Sequence, residues 1–253
     1  AYALDNKIID KNWSVNCKGS YPYGDRTFHC WNTEGHGQVD LKKSIKYSCN
    51  IFYYNLIQKI PFKDWSQIIS KFGFGERTRI DLPGEKRGLV PTRDYMNKKY
   101  TSRGWGKGSL LNFVIGQGDL LATPQQVIQI MNLIATSGKT YAPHIKKNIK
   151  SEPLNVTLDN YTWNFLKDAT FAVVNDKDGT GKNANTKLGK VHGKTGTAQN
   201  PHGEDHSWFS GFITLPNNEI MTLVVIVENG GKGSIIGATV ARELFSTFAE
   251  LSQ

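Results

Sequence analysis

Several absences narrow the reading of this 253-residue chain. No apolar run approaches the ~18 residues needed to cross a membrane as a helix. The first residues do not have the pattern of a signal peptide. There is no internal repeat, which excludes a stacked-repeat architecture. Net charge is +9, yet no long basic run exists, and Lys42-Lys43, Lys98-Lys99 and Lys146-Lys147 are the longest. Scattered charge of this kind reads as a solvated basic surface, so no nucleic-acid partner is expected, although attraction to an anionic envelope polymer stays open. Cysteine is scarce. Cys17, Cys30 and Cys49 are an odd number, so one disulfide would leave one thiol over.

A phosphate loop is also missing, despite an imitation of one. Gly193-Lys194-Thr195 matches the tail of G-x-x-x-x-G-K-[ST], but the first glycine would have to stand at 188, which is Leu188. Such a loop must open a helix whose amides hold the phosphate, and Gly196 and Pro201 argue against one.

Lys194-Thr195-Gly196-Thr197 instead reads as strand. It is followed by a polar loop and then by two apolar runs, 208–213 and 221–227, which read as further strands of a meander. A lysine and two hydroxyls on the first strand suit gripping a carboxylate and lining a cleft.

The rest of the chain is mainly helical. Residues 11–37 read as irregular loop with a hairpin. Asp40 is an N-cap for Leu41, Ile45, Ser48, Phe52 and Leu56, on one helix or on two broken near Ser48, ended by Pro61. This spacing puts Ser48 on an apolar helix face. Trp65, Ile68, Ile69 and Phe72 mark another helix, stopped by Gly73. Residues 74–112 read as loop. Thr123-Pro124-Gln125-Gln126 combines a cap, a first-turn proline and a capping box, before a stripe of Val127, Ile130, Met131 and Ile134. Leu158, Tyr161, Phe165, Ala169 and Val173 mark a further helix. Val240, Leu244, Phe248 and Leu251 mark the last one. Helices first and strands late predict an α+β fold with an antiparallel sheet.

Ser48-Cys49-Asn50 means little alone, because a hydrogen-bonded buried serine is common. Followed by Lys194-Thr195-Gly196-Thr197 on a strand, it repeats the motif order of the serine acyltransferases that include β-lactamases and penicillin-binding proteins. Gly35-His36-Gly37, Ile115-Gly116-Gln117-Gly118 before Thr123-Pro124, and Asp205-His206-Ser207-Trp208-Phe209 extend the resemblance to class B penicillin-binding proteins, of the elongation type, over essentially the whole chain. The Thr123-Pro124 helix and the Cys/His segment do not fit a β-lactamase.

The resemblance implies a β-lactamase/transpeptidase-like fold, an antiparallel sheet flanked by helices. It implies D,D-transpeptidation of peptidoglycan stem peptides through an acyl-serine, and β-lactam binding. Ser48 would relay protons, Asn50 would bond the substrate peptide, and Lys194 would supply positive potential and aid proton transfer. Thr195 and Thr197 would hold the terminal carboxylate around Gly196, and the Thr197 N–H would form half of an oxyanion hole. A membrane glycosyltransferase partner and the periplasmic face of the bacterial inner membrane, with the anchor outside this chain, are implied too.

The family's nucleophile, Ser-x-x-Lys, occurs nowhere in the sequence; Thr136-Ser137-Gly138-Lys139 imitates it at a helix end. The expectation is that residues 1–253 are the C-terminal part of a transpeptidase domain, lacking the N-terminal portion of the fold and inactive alone. The rival expectation is a non-catalytic sensor or scaffold that lost its nucleophile.

For the cysteines, Cys17, Cys30, His36 and Cys49 offer a Cys3His set suited to structural zinc, with His36 between glycines in a bendable loop. Some proteins of the resembled kind carry a metal site in this segment. A Cys17–Cys30 disulfide and free thiols are the alternatives. His202 and His206, flanking Glu204-Asp205, read as solvated loop residues rather than a second metal site.

Overall fold

The computed structural model describes residues 1–101 and 104–252. A helical turn, α1 (Tyr2–Asp5), precedes four short strands: β1 (Ser14–Cys17), β2 (Ser20–Tyr23), β3 (Arg26–His29) and β4 (Gly37–Asp40). β2 and β3 form a hairpin, while β1 pairs antiparallel with β4 and sets Cys17 opposite Gly37. The segment read as irregular loop is therefore two small antiparallel ribbons.

α2 (Leu41–Lys46) and α3 (Asn50–Ile57) follow, then α4 (Phe62–Lys71), α5 (Arg93–Lys99), α6 (Gly108–Val114) and α7 (Pro124–Ala135). Asp40 caps α2 by accepting from the Lys43 N–H at 2.8 Å. α3 stops at Ile57, before Pro61, which instead is the N-cap of α4. Its fixed φ suits that entry position. The loop expected over 74–112 contains α5 and the start of α6, short helices whose Lys- and Gly-rich sequences carry little periodicity.

α7 has the capping box, with Thr123 and Gln126 bonding each other's backbone. Val127 and Ile130 are only half-buried, whereas Gln126 and Gln129 are buried. Gln126 lies under the 73–88 loop, and the two N–H protons of its amide are shared among the carbonyls of Gly73, Glu76 and Arg87, at 3.2, 2.7 and 2.8 Å from Nε2.

β5 (Lys139–Tyr141) and β6 (Pro153–Asn155) pair as a small ribbon before α8 (Asn160–Asn175). The main sheet is the antiparallel meander β7 (Lys190–Ala198), β8 (His206–Thr214) and β9 (Ile220–Val227), in that order, and α9 (Ile236–Leu251) packs on it. Phe209, Ile213 and Val191 from the sheet meet Phe245 and Ala241 of α9 in one core. Each large side chain so buried contributes about 1.5–3 kcal/mol. The α9 stripe differs from expectation. Ala238, Ala241, Phe245 and Ala249 are buried, while Val240, Leu244 and Leu251 are exposed. Small residues let the helix approach the sheet closely, so the larger apolar residues face outward. Tyr161 of α8 is likewise exposed, whereas Tyr54, Trp65 and Trp163 are core residues.

Gly193 shows how closely the sheet face is packed. A Cβ there would lie 2.3 Å from the Phe209 ring, so only glycine lets this ring sit beneath β7 next to Lys194.

Candidate active site

The helix-forming sequence 41–57 breaks at Tyr47-Ser48-Cys49. Ser48 has φ +52°, a left-handed conformation that costs a non-glycine residue about 1–3 kcal/mol and needs support from its surroundings. Ser48 is thus in a turn between α2 and α3, and not on an apolar helix face as its spacing suggested. The turn presents its hydroxyl to β7, where the Lys194 Nζ donates to Ser48 Oγ.

Lys194 also donates to the Thr195 carbonyl at 2.8 Å. Burial pushes its amine down from 10.5 to about 8, because desolvation disfavours the charged form. β7 is an edge strand of the sheet. The Thr197 carbonyl accepts from Gln117 Nε2 at 3.1 Å on the side away from β8. In an extended strand the N–H and C=O of one residue point the same way, so the Thr197 N–H faces that free edge too. The Thr197 hydroxyl accepts from the Gly233 N–H at 3.3 Å and keeps its own proton to donate. The Thr195 hydroxyl instead meets Thr180 Oγ1 at 3.1 Å. Gly196 lies between them over Trp208. Asn50 opens α3, one residue past Cys49, and its Nδ2 donates to the His29 carbonyl at 3.2 Å. Its Oδ1 and second N–H are left for other partners.

Behind the turn, Cys17, Cys30, His36 and Cys49 come together with their ligand atoms all within 4.8 Å of one another. His36 Nδ1 is 3.6 Å from Cys17 Sγ and 3.5 Å from Cys30 Sγ. The three cysteines are buried and free of disulfides. A hydrogen bond with Cys49 lowers the Cys30 thiol to about 5, and the same contact raises Cys49. Tetrahedral zinc with Zn–S near 2.3 Å and Zn–N near 2.0 Å sets neighbouring ligands about 3.5–3.8 Å apart; the two His36–cysteine distances match this, the donor set suits the ion, and the whole set, within 4.8 Å, would tighten slightly around it. The His36 ring stacks on Tyr47 with centroids 5.6 Å apart and planes at 5°. Trp31 donates to the Tyr47 carbonyl at 2.8 Å. The cluster and its aromatic neighbours therefore bear directly on the residues either side of Ser48.

His206 accepts from the Asn229 N–H at 3.0 Å, and among the described residues no metal-holding group forms around His202, Glu204 and Asp205. His192 stacks on Phe212 at 4.5 Å, and burial lowers its pKa. Three contacts at the cleft were not read from the sequence: Thr180 beneath Thr195, Gln117 on Thr197, and Lys46 ion-paired with Asp176 and Asp178. Gln117 stood in a recognised motif, but a Gly-Thr-Gly triplet has no signature of its own.

This geometry can be set beside known proteins. The peptidoglycan D,D-transpeptidase MrdA of Haemophilus influenzae is 31% identical over 97% of this chain, and the alignment covers 42% of that relative. The Escherichia coli K12 protein of the same name is 27% identical over 96%, again with 42% of the relative covered. The chain thus spans about two-fifths of the length of these curated relatives. The crystal structure of Pseudomonas aeruginosa PBP2 in complex with WCK 5153 superposes with a TM-score of 0.88 at 30% identity, covering 97% of this chain and 56% of that one. Helicobacter pylori PBP2, solved as a complex with MreC, gives 0.85 at 30% identity, with 97% and 47% covered. The pattern described as the penicillin binding protein transpeptidase domain matches residues 1–246. That match takes in both walls of the cleft, the Ser48 turn and the Lys194 strand, and the chain therefore belongs to the penicillin-binding protein transpeptidase family.

Proposed function

We propose that these residues form the substrate-gripping part of a peptidoglycan D,D-transpeptidase. The observation that carries this reading is the Lys194 ammonium bonded to the Ser48 hydroxyl across the cleft. A stem peptide ending in D-Ala-D-Ala would lie along the free edge of β7. The Thr197 hydroxyl, with its proton free, would donate to the terminal carboxylate, and the Lys194 charge would attract it. The Thr197 N–H would face the developing oxyanion, a type of contact worth about 3–4 kcal/mol in other enzymes. Asn50 would bond the peptide backbone. Ser48, fed by Lys194, would hand a proton to the departing D-alanine nitrogen. A β-lactam would occupy the same groove as a mimic of the peptide.

No Ser-x-x-Lys occurs in these 253 residues. The acylated serine is therefore proposed to come from elsewhere in the gene product that contains them. Fluorescent penicillin should label that complete protein covalently at a serine outside this stretch and leave the isolated 253 residues unlabelled. Labelling of the isolated residues would remove the need for an outside nucleophile. A complete protein that takes no label would point to a non-catalytic sensor.

For Cys17, Cys30, His36 and Cys49 the reading is structural zinc, supported by the donor set and by ligand spacing near that of a tetrahedron. Bound there, the ion would pin the β2–β3 hairpin to the Ser48 turn; the acyl-transfer chemistry needs no cofactor. Among the described residues no helix is long and apolar enough to cross a membrane. Action on peptidoglycan would put the proposed site outside the cytoplasm, on the periplasmic face of the inner membrane in this reading. A similar chain solved in a peptidoglycan synthase complex that coordinates polymerization and crosslinking supports assembly beside a membrane glycosyltransferase, and the Helicobacter protein solved with MreC supports a further protein partner.

A further inference from the structure

The loop between α8 and β7 touches both the segment before Ser48 and the strand that carries Lys194. It turns back sharply over the end of α8, where the Gly181 N–H bonds the Val173 carbonyl at 2.8 Å. A Cβ at Gly179 would lie 2.3 Å from that same carbonyl oxygen, so only glycine permits the turn. The turn lifts Thr180 between the two walls. The Thr180 hydroxyl donates to the Lys46 carbonyl at 3.0 Å, and its N–H reaches the same oxygen at 3.4 Å. Lys46 stands two residues before Ser48. The loop also grips that segment by its side chains. Lys46 Nζ pairs with Asp176 at 3.1 Å and Asp178 at 2.9 Å, and the Tyr47 hydroxyl donates to Asp178 at 2.5 Å.

Proton counting then fixes the direction of the remaining contact. The Thr180 hydroxyl gives its single proton to the Lys46 carbonyl. At 3.1 Å from Thr180 Oγ1, Thr195 must therefore be the donor. The Thr195 proton is spent inside the protein, and Thr195 offers the cleft only a lone pair. Thr197, which accepts from Gly233, has the free proton.

On the transpeptidase reading above, we propose that Thr180 is a positioning residue. Its hydroxyl is a strut that ties the strained Ser48 turn to β7 through Thr195.

The test uses the complete gene product containing these residues and measures acylation by fluorescent penicillin at varied concentration. This separates the saturating acylation rate from the half-saturating concentration. Thr180→Val keeps the shape and removes the hydroxyl. It should lower the saturating rate about tenfold or more by loosening the Ser48 turn, and change the half-saturating concentration by less than about threefold. Thr180→Ser should restore the rate to within about threefold. Thr195→Val should reproduce the Thr180→Val effect, and the double variant should be no slower than either single one, because both remove the same strut. Thr197→Val should instead raise the half-saturating concentration. Multiplicative losses in the double variant, or a valine variant that acylates at the wild-type rate, would overturn the strut alone. A wild-type protein that takes no label would overturn the transpeptidase reading and the strut with it.

Discussion

Lys194 and Ser48 are 146 positions apart in sequence, yet the lysine amine donates to the serine hydroxyl. The contact joins a strand edge to the break between two helices. It also supports a serine whose φ of +52° local preferences disfavour. Removing either partner therefore affects more than one hydrogen bond.

Lys194→Met keeps most of the apolar stem and removes the amine. Penicillin labelling of the complete protein should be lost. Stability should nevertheless rise at pH 7. A lysine whose pKa falls from 10.5 to about 8 on folding pays a desolvation penalty of about 3 kcal/mol while both states are protonated. In the unfolded chain the amine stays protonated up to its higher pKa. The penalty is therefore full below about pH 8 and disappears between about 8 and 10.5. Melting curves should show the variant more stable at pH 7, by up to about 2–4 °C per kcal/mol, with the advantage shrinking as pH rises. A variant that is less stable at pH 7 would mean the amine is a net stabiliser of the turn.

The same titration should appear in the chemistry. As drawn here, Lys194 acts as an ammonium, feeding Ser48 a proton and attracting a carboxylate. Acylation should then fall by about tenfold per pH unit above about pH 8, with a slope of one proton. A rate that climbs through pH 8 would identify the neutral amine as the working form and reverse its role from donor to acceptor.

Gln126 tests the scaffold rather than the chemistry. It is fully buried and its amide holds three loop carbonyls, while its own oxygen accepts from the Thr123 N–H at 2.9 Å. Gln126→Ala leaves those groups buried without partners, which costs about 1–3 kcal/mol for a lost partner. The melting temperature should drop by several degrees. Gln126→Glu, which keeps the acceptor but loses the amide donor, should destabilise as well.

What could be read from sequence followed the local character of each signal. The meander, the Asp40 cap and the Thr123-Gln126 capping box are written in neighbouring residues, and each stands where its pattern put it. The short helices α5 and α6 have seven residues each, too few to display a helical period. In α9 the close approach to the sheet selects Ala238, Ala241 and Ala249, residues that a search for large apolar side chains passes over. The cleft residues divide in the same way. Lys194, Thr195, Thr197 and Ser48 were visible as residue types in a recognisable order. Thr180 and Gln117 act through tertiary contacts that no local pattern encodes. The metal set was visible as donors only, because two small ribbons, rather than regular spacing, bring Cys17, Cys30 and His36 to Cys49.

Cys49 ties the proposed zinc to the cleft most directly, because it follows Ser48 and its side chain faces the cluster. Cys49→Ser should reduce zinc in the purified protein from about one equivalent to under about a tenth, since a Cys3His site needs all four ligands. Losing the pin of a structural zinc site should lower the melting temperature by about 5–10 °C, on a scale of 2–4 °C per kcal/mol. Acylation of the complete protein should slow, because the turn that holds Ser48 loses its anchor on the metal side while the contacts of Thr180 and Lys194 remain. Strong chelation of the wild type should reproduce both effects, and added zinc should reverse them. Wild-type protein with under about a tenth of an equivalent of zinc and unchanged melting would remove the metal. A mass two hydrogens lighter, with Cys17 and Cys30 linked in a peptide digest, would replace it with a disulfide.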